Sequence, residues 1–201
     1  MTILTMPSYR EFSQVRFSLL SNGLSFPSPL DGSVQTVEFP GARWMFSATL
    51  PPMRRDVAAA WQAFFTQLRG QSGRFYAGDS NATTPRGTAL GSPLVNGGSQ
   101  IGNSLITDAW TPSQSTALLP GDYFQVGNEL KMVLSTVVSD GSGNATITFE
   151  PPLRAPPSDN APIITSSPVC IMRLTDNDQS GWDIGGAGIY GMVFSAVEAF
   201  V

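Results

Sequence analysis

Apolar and polar residues alternate along several short stretches of the chain, and a period of two predicts strands. In residues 14–19 every second residue is apolar, which is typical of a half-buried strand. We expect a turn at Asn22-Gly23 and another short strand over 33–39. The alternation returns in 44–50, and Pro51-Pro52 ends that strand because proline has no backbone N–H to donate.

After these prolines the period becomes helical. The predicted helix covers 56–69, with Asp56 as its N-cap and Gly70 as its left-handed end. Its apolar residues fall within an arc of roughly 100°: Val57, Trp61, Phe64, Phe65 and Leu68. The opposite face carries Ala59, Ala63 and Thr66, where a solvated helix usually carries Lys and Glu. Either another layer or a neighbouring copy packs there, or alanine is present because it favours helix.

The second half of the chain is typical of strands and turns. Residues 73–77 are extended, and the Gly-, Ser-, Thr- and Asn-rich stretch 78–104 predicts a linker or long loop. A β-meander follows, with expected strands at 122–126, 129–133, 134–138 and 145–150. The six prolines of 151–168 predict an irregular return path.

The last apolar stretch, 188–201, is apolar on both alternating faces, which is typical of a strand covered on both sides. One face holds Tyr190, Met192 and Phe194, and the other holds Ile189, Val193 and Val197. We therefore expect this strand beside the helix-bearing sheet, with its second face buried by another layer or subunit.

Together these patterns predict a mainly β fold. We expect a β-sandwich-like sheet with one packed α-helix, plus an inserted small β-barrel or meander module. Residues 1–85 and 172–201 are predicted to form one discontinuous domain, and 86–171 the inserted module.

Composition restricts the function. The 201 residues are 41% hydrophobic and 13% charged, with a net charge of −4, which indicates a folded chain. The basic residues are scattered, so we expect no nucleic-acid recognition. Low charge favours a surface covered by copies or partners. The sequence shows no secretion signal and no run of membrane-spanning length, so we expect cytosolic synthesis and no membrane insertion.

Reactive groups are few. The absence of histidine excludes Ser-His-Asp and Cys-His catalysis and HExxH zinc sites. Cys170 lies in an apolar run and is expected to be an inert core thiol. We predict neither an enzyme nor a bound cofactor or metal.

Two ligand-binding alternatives stay open. Asp176, Asp178, Ser180 and Gly181 resemble the start of a calcium loop, but Ala187 stands where a bidentate Glu is needed, so a polar turn is the competing interpretation.

Aromatic residues offer the second alternative. Trp110 and Tyr123 are candidates to face a sugar, with Asp108 and Asp122 nearby in sequence for a carbohydrate-binding module or cell-wall glycosidase. Burial in the core of a β module is the competing interpretation for these rings.

A family resemblance extends these inferences. The chain resembles the distal tail proteins of long-tailed bacteriophages and related prophage elements over 17–201, in RWMFSATLPPMRRDVAAAWQAFFTQLRGQSGRFYAGD, then PRG, then LLPGDYFQVGNELKMVL, then SDGSGNATITFEPPLR and a terminal apolar strand. The resemblance implies a belt domain, including 44–77 and 189–201, in a hexameric ring at the distal end of the tail tube. Residues 118–154 would belong to a peripheral β module.

The same resemblance implies a location and partners. It places the protein in the virion tail tip, assembled in the host cytoplasm. The implied partners are other copies of the chain, the tail tube protein, and baseplate hub or tail fibre proteins. A tail tube or tail-completion subunit is a related alternative.

Overall fold

A computed structural model describes residues 2–7, 12–178 and 181–200. The fold is mainly β, as the sequence predicts. In chain order its elements are β1 (Ile3–Thr5), β2 (Gln14–Leu20), β3 (Gly23–Pro27), β4 (Val34–Glu38), β5 (Arg43–Thr49), α1 (Arg55–Leu68), β6 (Arg74–Ala77), β7 (Gly91–Val95), β8 (Gly102–Trp110), β9 (Tyr123–Val126), β10 (Glu129–Val133), β11 (Ala145–Leu153), β12 (Ile163–Ile164), β13 (Cys170–Leu174), β14 (Asp183–Ile184), β15 (Tyr190–Gly191) and β16 (Val193–Glu198). Short 3-10 turns lie at Gly70–Ser72 and Gly186–Gly188.

Two six-stranded sheets form the body of the molecule. The first has the strand order β1-β6-β13-β16-β5-β2, and the second β12-β9-β10-β11-β8-β7. A bridge between Leu94 and Pro162 brings β7 beside β12, so the second sheet nearly closes into a barrel. The first sheet takes its strands from 3–77 and 170–198, the second from 91–164. The domain boundaries themselves stay a prediction.

Helix α1 packs against one face of the first sheet. Its buried stripe meets Phe194 in the central strand β16, whose ring centroid lies 5.0 Å from that of Phe65 and 6.1 Å from that of Trp61. The helix begins one residue before the predicted start, and the prediction of Asp56 as its N-cap is wrong: Arg54 holds that position and makes no capping side-chain hydrogen bond. Asp56 lies in the first turn, where its charge suits the N-terminal dipole. The first left-handed residue after the helix is Arg69 (φ 52°), one residue before the predicted Gly70.

Three sequence predictions fail in the strands. β7 and the start of β8 lie inside the predicted linker 78–104, where Gly, Ser, Thr and Asn residues around them hide the strand pattern. The predicted strand 134–138 makes only a single bridge, between Val137 and Leu118. The predicted continuous strand 188–201 is divided at Met192, whose carbonyl accepts the N–H of Leu50 from beyond the end of β5.

Candidate assembly site

Strands β2, β3, β4 and β5 together form one long hairpin. Its inner half, β2 with β5, lies in the first sheet, and beyond it β3 pairs with β4 alone. The side-chain amide of Asn22 donates to the backbone carbonyl oxygen of Pro40 at 2.9 Å, and the backbone N–H of Phe39 donates to the backbone carbonyl oxygen of Asn22 at 2.7 Å. The predicted turn at Asn22-Gly23 is therefore wrong: these bonds hold the chain extended, and it reverses at 28–33 instead. We call residues 23–38 the arm.

Apolar side chains of the arm lie in solvent. Leu24 and Phe26 project from one face, opposite Val37 and Gln35, and Phe26 is 54% exposed. Leu30 in the turn is 94% exposed. An isolated two-stranded hairpin is marginally stable in water, and clustered exposed apolar residues mark contact sites. The arm is thus a candidate contact surface.

The tip of the arm carries a fixed negative charge. Asp31 accepts hydrogen bonds from the N–H of Ser33 at 3.1 Å and from its hydroxyl at 2.8 Å. The hydroxyls of Ser28 and Ser33 lower the pKa of Asp31 to about 2, so this carboxylate is ionised at neutral pH. Gly32 has a φ of +72°, which favours glycine in this turn. The stretch 21–42 holds two carboxylates, Asp31 and Glu38, and no Lys or Arg.

The face of the first sheet that points away from α1 gathers arginines. Residues that are paired across neighbouring strands lie on the same face of a sheet, and so do alternate residues of one strand. The register places four arginines on this face by pairing Arg16 with Ser47, Arg43 with Leu20, Arg173 with Val197 and Arg74 with Ile3. Met45, two residues after Arg43 in β5, is paired with Val197, and Val197 is paired with Arg173, so both arginines lie on one face. None of the described strand residues on this face is Asp or Glu. We call this surface the arginine face.

Backbone carbonyls hold these arginines without neutralising them. Arg43 Nε donates to Gly41 O at 3.4 Å, Arg173 Nη1 to Leu174 O at 3.3 Å, and Arg74 Nη1 to Gln71 O at 2.9 Å. In the part of the chain that the structure describes, none of the four has a carboxylate oxygen within 4.0 Å. Partial burial, with the charge of Arg173, lowers the pKa of Arg74. The Arg43 guanidinium also stacks on the ring of Phe200 at 4.6 Å. The positive charge of this face is therefore not balanced by a carboxylate among the described residues.

A groove crosses the arginine face at the base of the arm. It has a volume of about 380 Å³, and Leu20, Met45 and Val197 give it apolar surface between Arg43 and Arg173. Strands rise about 3.3 Å per residue, so the turn lies about 17 Å along the five-residue strands of the arm. Within one copy, no residue of the arm lines this groove.

The residues predicted to form an oligomer interface lie in different settings. Ala59, Ala63 and Thr66 are exposed on the outer side of α1, and their role stays a prediction. Val193 is exposed and Ile189 half-buried before β15, whereas Val197 is buried within the copy and lines the groove.

The two aromatics predicted to face a ligand are core residues. Trp110 is 3% exposed, and its indole N–H donates to the hydroxyl of Thr107 at 2.8 Å. Tyr123 is 8% exposed, and its ring lies 5.5 Å from that of Trp44 and 6.0 Å from that of Phe17. The ligand-facing interpretation is therefore wrong for both rings. Every residue of β9 is buried, so Tyr123 is covered whichever face it occupies, and the left-handed Ala109 (φ 58°) breaks the alternation of β8 just before the buried Trp110.

Asp122 clamps two loops. Its carboxylate accepts the backbone N–H groups of Leu119, Arg86 and Gly87 at 2.8, 3.0 and 3.1 Å. Burial alone would raise the pKa of Asp122, but these bonds hold it below its ordinary value. A glycosidase acid needs a raised pKa, so this geometry disfavours Asp122 as a general acid.

A buried charge network joins the two sheets. Glu198 in β16 accepts Arg154 Nη2 at 2.6 Å and the backbone N–H of Trp44 at 3.1 Å. In β10, Lys131 Nζ donates to Glu129 at 2.7 Å, and Arg154 Nε lies 3.9 Å from Glu129. Burial would raise the pKa of Glu129, but Lys131 and Arg154 hold it below its usual value.

The remaining predicted sites show little chemistry. Ser180 of the calcium alternative lies outside the described residues, and the described ranges contain no group of three or more His, Cys, Asp or Glu placed to hold a metal. Cys170 is buried, as predicted, and burial raises the pKa of its thiol. Among the described helices, none has the length and hydrophobicity needed to cross a membrane.

No protein-family model matches the chain, and a search of curated proteins gives no significant match.

Proposed function

We propose that this chain is a structural component of a phage tail tip that associates with its own copies into a ring and joins the tail tube to hub or fibre proteins. The single observation that supports self-association is the arm, whose apolar residues are uncovered within one copy. The sequence resemblance to distal tail proteins supports the place in the tail.

The energetics of the arm favour a partner. Burying a Leu, Val or Phe side chain completely is worth about 1.5–3 kcal/mol. Leu24, Phe26 and Val34 are each already about half covered, so a neighbour gains about 1 kcal/mol from each of them. Leu30 is almost fully exposed and offers the largest gain.

The first sheet also has an open edge. Strand β2 is the last strand on one side, so one row of its backbone N–H and C=O groups has no partner strand within the described residues. Such edges pair with strands of other chains. Contacts that use different patches on the two copies close into rings or grow into filaments.

Sedimentation velocity and negative-stain imaging of the purified chain test this proposal. We expect single rings at micromolar concentration. Stacked tubes would favour the tail tube subunit instead, and a monomer at every concentration tested would refute self-association.

A pair of matched variants tests the role of the arm. Phe26→Ser on the arm should shift the assembly equilibrium towards monomer. Ile106→Ser in the second sheet, where Ile106 is 51% exposed, should leave it unchanged. Equal effects of the two substitutions would show that the arm has no special role.

A further inference from the structure

We infer that the tip of the arm of one copy docks in the groove of the arginine face of the next copy. This inference rests on the proposed self-association and names the two surfaces that meet. The contact is between Leu30 and Asp31 on one copy and Arg43, Met45 and Arg173 on the other.

Charge complementarity selects the arm as the occupant. The stretch 21–42 carries two carboxylates and no basic residue. The arginine face carries four guanidinium groups and, on its described strands, no carboxylate. Asp31 is ionised at neutral pH, and its hydrogen bonds to Ser33 hold it at the tip. Arginine binds a carboxylate through two parallel hydrogen bonds, which gives the contact direction as well as attraction.

Apolar complementarity selects the tip in particular. Leu30 is 94% exposed and directly precedes Asp31. The groove has the matching order, with apolar Met45 and Val197 between Arg43 and Arg173. Its volume of about 380 Å³ compares with about 30 Å³ for one water molecule in the liquid, so it has room for a leucine side chain with its neighbours.

The geometry makes this contact intermolecular. The arm leaves the sheet at the rim of the groove, because Ser21, Asn22 and Gly41 line that rim. No residue of the arm lines the groove of its own copy. Each copy therefore offers a tip to one neighbour and a groove to another, a head-to-tail contact.

Disulfide trapping tests the contact directly. Leu30→Cys in one preparation is mixed with Met45→Cys in another and oxidised mildly at neutral pH. Cys170 does not compete, because it is buried and its thiol pKa is raised. We expect at least tenfold more cross-linked dimer from this pair than from Leu30→Cys mixed with Ile106→Cys. Equal yields would overturn the docking.

Charge exchange tests the same contact without cysteines. Asp31→Arg should weaken association at least tenfold, and Asp31→Arg combined with Arg173→Asp should recover most of it. Asp140→Arg is the matched control, because Asp140 is also an exposed turn residue that accepts turn N–H groups. If the double variant shows no recovery, or if the control weakens association equally, the pairing is wrong.

The outcomes separate this inference from the proposed function. Assembly that persists without specific cross-linking or charge dependence would refute the docking and leave self-association standing. A wild-type chain that is always monomeric would refute both. If Arg43→Asp instead abolishes salt-sensitive binding of a DNA oligonucleotide and leaves assembly intact, the face serves a nucleic acid and the docking is overturned.

Discussion

Removing the charge of Glu198 should destabilise the protein strongly. The Glu198→Gln variant keeps the shape of the side chain but removes its charge. It also turns into an amide donor one of the two oxygens that accept Arg154 Nη2 at 2.6 Å and the N–H of Trp44 at 3.1 Å. Losing one member of a buried ion pair costs about 3–5 kcal/mol. The Arg154 side chain is 22% exposed, lies 3.9 Å from Glu129 and stacks on Phe200 at 4.3 Å, so we expect the lower end, about 3 kcal/mol.

Urea unfolding measures this loss. With a slope of about 2 kcal/mol per molar urea, a loss of about 3 kcal/mol lowers the midpoint by about 1.5 M. Glu38→Gln is the matched control, because Glu38 is exposed on the arm, and its midpoint should not move. Replacing Glu198 and Arg154 together by leucine should recover about half of the loss, since no unpaired charge remains. A midpoint for Glu198→Gln within about 0.25 M of the wild type would refute a stabilising network.

Three further predictions follow from the geometry. Asp122→Asn should lower the free energy of unfolding by about 1–3 kcal/mol. The pKa of Asp122 lies below its ordinary 3.8, so its contribution to stability is complete above that pH and is lost as the pH falls below it. The melting temperature should therefore fall more steeply from pH 6 to pH 2 for the wild type than for the variant. Gly73→Ala should lower the melting temperature by several degrees, since a Cβ there would lie 2.4 Å from the carbonyl oxygen of Leu68. Gly141→Ala is the control and should leave the melting temperature unchanged, because a Cβ there would meet no atom within 4 Å. Equal melting temperatures for the two variants would contradict this packing. Ala63→Arg should prevent ring assembly with an unchanged circular dichroism spectrum, because Ala63 is exposed, and intact rings in the variant would show that no neighbour packs on this side of the helix.

Sequence period predicts the elements that bury one face. Strand β5 and helix α1 are found within one residue of their predicted bounds, because large apolar side chains at period two or 3.6 have only one way to reach the core. Strand β7 and the start of β8 were missed because they lie in the stretch 78–104, whose Gly, Ser, Thr and Asn residues give it the composition of a loop.

The arginine face shows a different limit. Arg16, Arg43, Arg74 and Arg173 are isolated in sequence, and a pattern search therefore finds no basic stripe. Only the register of strands from distant segments places them on one surface. The arm was hidden for a related reason, since Asn22-Gly23 has the composition of a tight turn but lies in the middle of a longer hairpin.

The place of β16 in the first sheet has a consequence for biosynthesis. This strand lies between β5 and β13, although about 70% of the chain length separates it from β5 in sequence. While the ribosome is still adding residues 78–169, the aromatic stripe of α1 has no Phe194 to cover it, so the incomplete chain exposes apolar surface of the kind that promotes aggregation. A copy that stops short of β16 would also lack Val197 and therefore an intact groove.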